Sequence, residues 1–405
     1  MSWPRLKKKY TEGYDERKGN PSKEKLACVG GISPVWFHAV SVGEVQAAVP
    51  IIKAARDAGY TEPIIISTTT ETGKAMALRL GEGLFDLHIY YPWDKACFVK
   101  SALDAVKPKC FITMETELWP NMLWILKERN IPSFIANGRI SDRTWLRLSG
   151  KITRPIGAAI YGLFTELFMR EERDRQRLIS IGVKQEKICV PGDTKIDALL
   201  GRRDYRAVHE WKEKFACPSR PIFMAGSTHP GEEDEVLKAY SILRASVPSA
   251  RLIVAPRHPE RADAVAALFL GKYKTTKITA LKADWDVLIV DRIGVLFELY
   301  GLSKAAFVGG SFVDKGGQNI LEPASWGVPV QYGPHMEDFA AASREFLALN
   351  IASQLADGAA LGAKWRTIAD EKGGGEALKK QCESYFSKAE GASSQIWAKI
   401  SSQID

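Results

Sequence analysis

Short apolar, β-branched segments alternate with longer stretches whose apolar residues recur at helical spacing, and this alternation constrains the chain more than any other feature. Residues 35–40, 63–67, 110–114 and 132–136 read as strands, with helices over 45–58, 72–80 and 118–129 between them. The pattern breaks over 198–221, where polar and charged residues take over. It restarts with strands at 222–225, 252–255, 287–290, 305–308 and 328–332 and helices over 232–246 and from 260. Buried strands separated by helices form a parallel sheet covered on both faces. Two such series predict an α/β protein of two doubly wound, Rossmann-like domains facing a cleft. The expected parts are a basic arm at 1–34, a first domain at 35–200, a second at 201–375 and a terminal helix at 376–405. A chain of 405 residues is long enough for two cores.

No stretch approaches the roughly 20 apolar residues of a membrane span, and no signal peptide opens the chain. Six dispersed cysteines and six dispersed histidines show no metal-ligand spacing, so the thiols read as small apolar fillers in a cytosolic protein. The net charge is +8, and residues 1–25 hold eight Lys/Arg against four Asp/Glu. This arm reads either as a solvated tail or as a contact with an anionic membrane surface. Nucleic acid is not expected, because no aromatic residues interleave with the cations.

In doubly wound sheets ligands bind beyond the carboxyl ends of the strands. Ser41-Val-Gly-Glu44 follows the first strand. It reads as a capping box, or as a carboxylate kept ionised by the first helical turn and able to act as a base. Glu115 and Glu117 follow the strand at 110–114, where Glu117 is also a candidate helix cap, and Lys195 follows the one at 188–190. In the second series Arg257 stands directly after a strand, suited to paired bonds with phosphate or carboxylate oxygens. Gly309-Gly-Ser311 and Lys315-Gly-Gly-Gln-Asn-Ile-Leu-Glu322 offer glycine amides and a helix start to a phosphate, or form a plain tight turn. Neither a dinucleotide fingerprint nor a P-loop is present.

Taken together, His38-Ala-Val-Ser-Val-Gly-Glu44, Thr68-Thr-Thr-Glu-Thr-Gly73, residues 114–121, Ala136-Asn-Gly-Arg139, Gly192-Asp-Thr-Lys-Ile-Asp197, Ser227-Thr-His-Pro-Gly-Glu-Glu233, residues 255–261 and 307–322, and Gly333-Pro-His335 resemble the 3-deoxy-D-manno-octulosonic acid (Kdo) transferases of lipopolysaccharide synthesis. The resemblance implies the two-domain glycosyltransferase B fold. It implies a CMP-Kdo donor, a lipid A precursor as acceptor, the cytoplasmic face of the inner membrane as workplace, and neither cofactor nor metal at the reaction centre. By position, Glu44 is similar to the family's general base, and Glu115 and Lys195 to its transition-state-stabilising residues. CMP contacts are implied at Pro256, Arg257, Ile293, Gly294, Val295, Asn319, Ile320, Leu321 and Glu322. The family's apolar anchor is missing before the basic segment, so either the sequence has been shortened or the protein docks peripherally through its basic arm. Asp291-Arg-Ile-Gly-Val-Leu and Gly317-Gln-Asn-Ile-Leu-Glu replace Asp-Thr-Met-Gly-Glu-Leu and Gly-His-Asn-Pro-Leu-Glu. Val295 and Gln318 are what a related nucleotide-sugar transferase or an epimerase with another donor would explain.

Overall fold

The computed structural model describes residues 12–215, 220–370 and 374–404. Arg5, Lys7, Lys8 and Lys9 of the basic arm, together with Cys217, lie outside the described residues. The chain forms two compact units, one of Met1–Ala198 with Ala389–Asp405 and one of Leu199–Lys388.

The first unit is a parallel sheet of β1 (Val35–His38), β2 (Ile64–Thr68), β3 (Leu87–Tyr90), β4 (Cys110–Met114), β5 (Ser133–Gly138), β6 (Glu166–Met169) and β7 (Ile188–Cys189), in the order β3-β2-β1-β4-β5-β6-β7. Successive side chains of an extended strand point to opposite faces. Val35 and Phe37 accordingly join Ile64, Ile66, Ile112 and Met114 in one core, while Trp36 joins Ile65 and Phe111 in another. The helix Val42–Asp57 closes the first face through Val45, Ala48, Ile51, Ile52 and Ala55, at the i, i+3, i+4 spacing of an apolar stripe.

The carboxyl-terminal stretch is two helices rather than one, Gly374–Ala389 and Ala392–Ser401. The second returns to the first unit, burying Ile396, Trp397 and Ile400 in the core behind Val42–Asp57. Asp197 fixes its start, accepting the Gly391 and Ser393 N–H groups at 2.7 Å each. A carboxylate at a helix N-terminus satisfies donors that no turn can reach.

The segment of the basic arm around Glu16 and Arg17 is docked, whereas most of residues 22–33 is exposed. Glu16 and Arg17 are buried: Glu16 Oε2 accepts the Tyr90 N–H at 2.7 Å, and the Arg17 guanidinium lies 4.2 Å over the Tyr90 ring.

The second unit repeats the architecture with β8 (Ile222–Thr228), β9 (Arg251–Pro256), β10 (Thr275–Lys277), β11 (Val287–Ile289), β12 (Ala305–Val308), β13 (Val330–Tyr332) and β14 (Ala352–Gln354), in the order β10-β11-β9-β8-β12-β13-β14. Phe223, Ala225, Leu252 and Val254 face one core, and Ile222, Met224, Ile253 and Ala255 the other.

In each sheet the chain starts in the middle, fills one side (in the second sheet passing to the edge strand β10 before returning to β11 beside β9), and then reverses. The reversal falls between β1 and β4 in the first unit and between β8 and β12 in the second. At such a point neighbouring crossovers leave in opposite directions and open a crevice at the strands' carboxyl ends.

Candidate active site

Glu44 and Glu115 follow β1 and β4, the two strands of the first reversal point. The capping box is only half made. Ser41 has extended backbone at the N-cap but its hydroxyl accepts no cap bond. Glu44 instead reaches back, its Oε2 accepting the Val40 N–H at 2.7 Å. The side chain is buried, and that burial pushes its carboxyl up to about 8. The Val40 bond and Lys195 oppose the shift, while Glu117 and Glu115 add to it. Position in the first helical turn therefore does not keep this group ionised at neutral pH. Desolvation outweighs the helix dipole, whose effect is worth only about 0.3–1 kcal/mol at exposed sites.

Glu115 sits in the left-handed region at φ 53°, held there because its N–H pairs with the Ala136 carbonyl at 2.9 Å. A non-glycine residue in this region stores strain and persists only when its surroundings fix it. The turn aims the carboxylate at Lys195, whose Nζ lies 2.5 Å from Oε1, and at Arg139, whose Nε lies 3.4 Å from Oε2. A side chain at Gly43 would come within 3.8 Å of the same Nζ, so the lysine also borders the turn that carries Glu44.

Lys195 occupies the first turn of the helix Thr194–Gly201. Preceding it, Thr194 donates its N–H to Asn137 Oδ1 at 3.0 Å and its hydroxyl to the Ala47 carbonyl at 2.8 Å. Asn137 is itself buried and left-handed, at φ 54°. These two residues tie the lysine's helix to β5 and to the helix of Glu44. Glu117 does not cap the following helix, whose N-cap is Trp119; burial and Glu115 raise its carboxyl. His38 is buried against Tyr91, with burial pushing it down to about 3, so it stays neutral at neutral pH.

The second reversal point is basic. Arg257 is exposed directly after β9, and its N–H bonds the Thr228 carbonyl at 2.9 Å. His229, after β8, stands edge-to-face with His258 at 6.2 Å. Burial lowers its pKa, Glu232 opposes this, and His258, Lys315 and Arg257 lower it further. Three cationic or imidazole side chains thus act on one histidine at the carboxyl ends of β8, β9 and β12.

The glycine turn after β12 does not hold its amides out to a ligand. Gly310, Ser311 and Phe312 donate their N–H groups to the Glu232 carboxylate at 2.7, 2.9 and 2.9 Å, and His229 adds a fourth at 2.8 Å. Gly309 serves packing, since a Cβ there would lie 2.5 Å from the Ser227 carbonyl oxygen. An internal carboxylate fills the nest expected for phosphate.

The nucleotide set inferred from the sequence falls after strands of this one unit. Pro256 ends β9 and Arg257 follows it, Ile293, Gly294 and Val295 follow β11, and Asn319, Ile320, Leu321 and Glu322 follow β12. Ile293 is 83% exposed, whereas Val295 is packed in the core beside Trp285 and Leu299, so an acid at 295 would meet an apolar wall. The helix start near Asn319 is brief: Leu321–Ser325 is five residues long, and Asn319 Oδ1 takes the Leu321 N–H at 3.1 Å. Glu322 is raised by burial and paired with Arg202 at 3.4 Å. Among the described residues, Asp314, His335 and Glu337 bring ligand atoms within 4.8 Å of one another. Both carboxylates are exposed, as surface acids commonly are without an ion.

A family profile described as 3-Deoxy-D-manno-octulosonic-acid transferase (kdotransferase) matches residues 12–198. A 3-deoxy-D-manno-octulosonic acid transferase of Haemophilus influenzae is 36% identical over 318 residues, covering 75% of this chain and 71% of that protein. The chain belongs to the Kdo transferase family. A second member, from Bordetella pertussis, is 32% identical and covers 80% of this chain and 77% of its own length. Among solved structures, UDP-GlcNAc 2-epimerase from Neisseria meningitidis superposes with a TM-score of 0.61 over 90% of this chain and 98% of that one, at 16% identity. That likeness concerns the fold alone, two doubly wound α/β units of the glycosyltransferase B class.

Within this Kdo transferase family member, the structure gathers Glu44, Glu115 and Lys195 and adds what sequence reading passed over. Arg139, Asn137 and Thr194 position or pair with them. Only the left-handed tolerance of asparagine gave a signal for Asn137. In the second unit, His229, His258 and Lys315 accompany Arg257; a histidine followed by proline just after a strand was the available hint.

Proposed function

We propose that this glycosyltransferase moves Kdo from CMP-Kdo to the hydroxyl of a lipid A precursor, with inversion at the anomeric carbon and no metal at the reaction centre. The observation that carries the reading is the meeting of Glu44, Glu115 and Lys195 at the reversal point of the first sheet. A carboxyl at about 8, made so by burial, is matched to proton transfer near neutral pH.

The first unit supplies the acceptor site and the second the nucleotide site. Glu44 takes the acceptor hydroxyl's proton as its oxygen bonds the anomeric carbon. The bond from that carbon to the phosphate oxygen breaks, and CMP leaves with the electron pair. Lys195, held by Glu115, offsets negative charge developing at the centre, and Arg257 with the neighbouring histidines receives the phosphate. Val295 leaves backbone atoms of 293–295 for the nucleotide, and Glu322 offers its carboxylate to the ribose. Among the described residues no helix is long and apolar enough to cross a membrane. The protein works at the cytoplasmic face of the inner membrane.

Calorimetric titration with CMP and with UDP, followed by mass spectrometry of products from CMP-Kdo and lipid A precursor, tests the reading. CMP binding with a Kdo-sized mass gain supports it. UDP binding without CMP binding would transfer the protein to another donor class.

A further inference from the structure

The motif Thr68-Thr-Thr-Glu-Thr-Gly73 has no part in the chemistry so far, yet it lies against the turn that carries Glu44. It follows β2. Thr69 Oγ1 donates to the Val40 carbonyl at 3.1 Å, and Thr70 Oγ1 to the same oxygen at 3.4 Å. Thr70 also caps the helix Glu71–Leu80, accepting the Gly73 N–H at 2.9 Å. The approach is close: a Cβ at Gly73 would lie 3.4 Å from the Val40 oxygen and 2.9 Å from Thr70 Oγ1. Val40 is in turn the residue whose N–H Glu44 Oε2 accepts at 2.7 Å.

From its other side the motif is gripped by the arm. Arg17 Nη2 donates to the Thr69 carbonyl at 3.0 Å. The arginine is buried over Tyr90, and its own carbonyl accepts the Trp93 N–H at 2.8 Å. Gly13, at φ 67°, lets the backbone lie flat on the same ring, since a Cβ there would come within 1.9 Å of Tyr90 Cδ2. Hydrogen bonds therefore run in series from Arg17 to Thr69, from Thr69 to Val40 and from Val40 to Glu44. They join the arm, the turn after β2, the turn after β1 and the helix Val42–Asp57. A side chain that moves a proton keeps its geometry only when the groups holding it are themselves held.

We propose that Arg17 and Thr69 are positioning residues for the proton transfer, fixing through Val40 the N–H that anchors the Glu44 carboxyl. The inference deepens the transferase reading and rests on it for the role of Glu44 as base. Loosening either contact frees the Val40 amide, and a carboxylate that loses a donor is more readily protonated. The charged groups that face Glu44 are Glu115 and Glu117, from the turn after β4, and Lys195, from the helix Thr194–Gly201. Substitution at 17 or 69 leaves all three in place.

Full-length T69V, which loses the hydroxyl, T69S, which keeps it, and R17Q are compared with the parent. Kdo transfer to a detergent-dispersed acceptor is followed as kcat/KM against pH. In T69V and R17Q the climb is expected to level about one pH unit above the parent's, a loss of about tenfold at neutral pH. T69S keeps the parent's midpoint. A purely structural role would lower the whole profile and leave its midpoint in place, so an unmoved midpoint in T69V overturns the proposal. If R17Q fails to fold, T69V decides alone. Glu44 also titrates without substrate, through the difference in thermal midpoint between each chain and its E44Q counterpart as pH rises. That titration is expected to move upward with T69V by the same amount, and an unmoved one overturns the positioning. A parent that transfers no Kdo overturns the transferase reading, while the thermal titration still decides whether Thr69 anchors Glu44.

Discussion

The two sheets reverse at equivalent places, yet each handles its buried glutamate in the opposite way. Glu232, in the second unit, receives four backbone N–H bonds and so closes the glycine turn after β12. Glu44, in the first, receives one, lies near two other carboxylates, and is pushed up to about 8. A carboxylate saturated with donors is fixed in place as an acceptor. One that is buried with a single donor is left ready to exchange a proton. In the proposed mechanism the same residue type is thus a fastener in one crevice and a reagent in the other, and the number of donors facing it makes the difference.

The comparison breaks first at Glu44. Replacing Glu44→Gln is expected to lower kcat by about 10²–10⁴-fold while leaving CMP affinity in a calorimetric titration unchanged. Equal turnover would remove the reagent from the pair. Next comes Glu232→Ala, which strands four amide donors and is expected to cost about 3–5 kcal/mol in denaturant unfolding. A cost under about 1 kcal/mol would show that the turn closes without it. Arg257→Ala is expected to weaken CMP binding by about 10–100-fold, the range for a hydrogen bond to a charged group, with thermal stability unchanged. The smallest effect is expected at Asp197, where Asp197→Ala removes the cap of the helix Ala392–Ser401 and costs about 0.5–2 kcal/mol. Measured by hydrogen exchange, the loss should concentrate in that helix.

A pH series sharpens the contrast through stability. Glu44's folded pKa, about 8, lies above its usual 4.5. Its neutral form suits the fold, so its contribution is whole below about 4.5 and is lost as pH rises through about 8. The Glu44→Gln variant is therefore expected to gain thermal stability over the parent as pH rises from 5 toward 9. A constant difference between the two would mean that the carboxyl titrates normally.

The interior strands were legible because both faces are buried and their sequences are continuously apolar, as in Cys110–Met114 and Ala305–Val308. The strands β3, β6, β10 and β14 were not. Thr275–Lys277 and Ala352–Gln354 are short and polar, because the margins of a sheet need less apolar surface. In the site, Glu44, Glu115 and Lys195 were visible as charged residues after strands. The raised carboxyl was not, since burial of Glu44 depends on neighbours remote in sequence. The glycine turn misled for a related reason: its sequence signals exposed amides, and only the fold shows Glu232 occupying them. Likewise nothing in Gly192-Asp-Thr-Lys-Ile-Asp197 announces that Asp197 anchors a helix nearly 200 residues downstream.

The pH dependence of kcat/KM for Kdo transfer to a detergent-dispersed acceptor addresses the proton-accepting role of Glu44 most directly. The expected profile climbs with unit slope through neutrality and levels near pH 8, and the climb disappears in the Glu44→Gln variant. A parent profile that levels near pH 4.5, or a variant that keeps the climb, would contradict it.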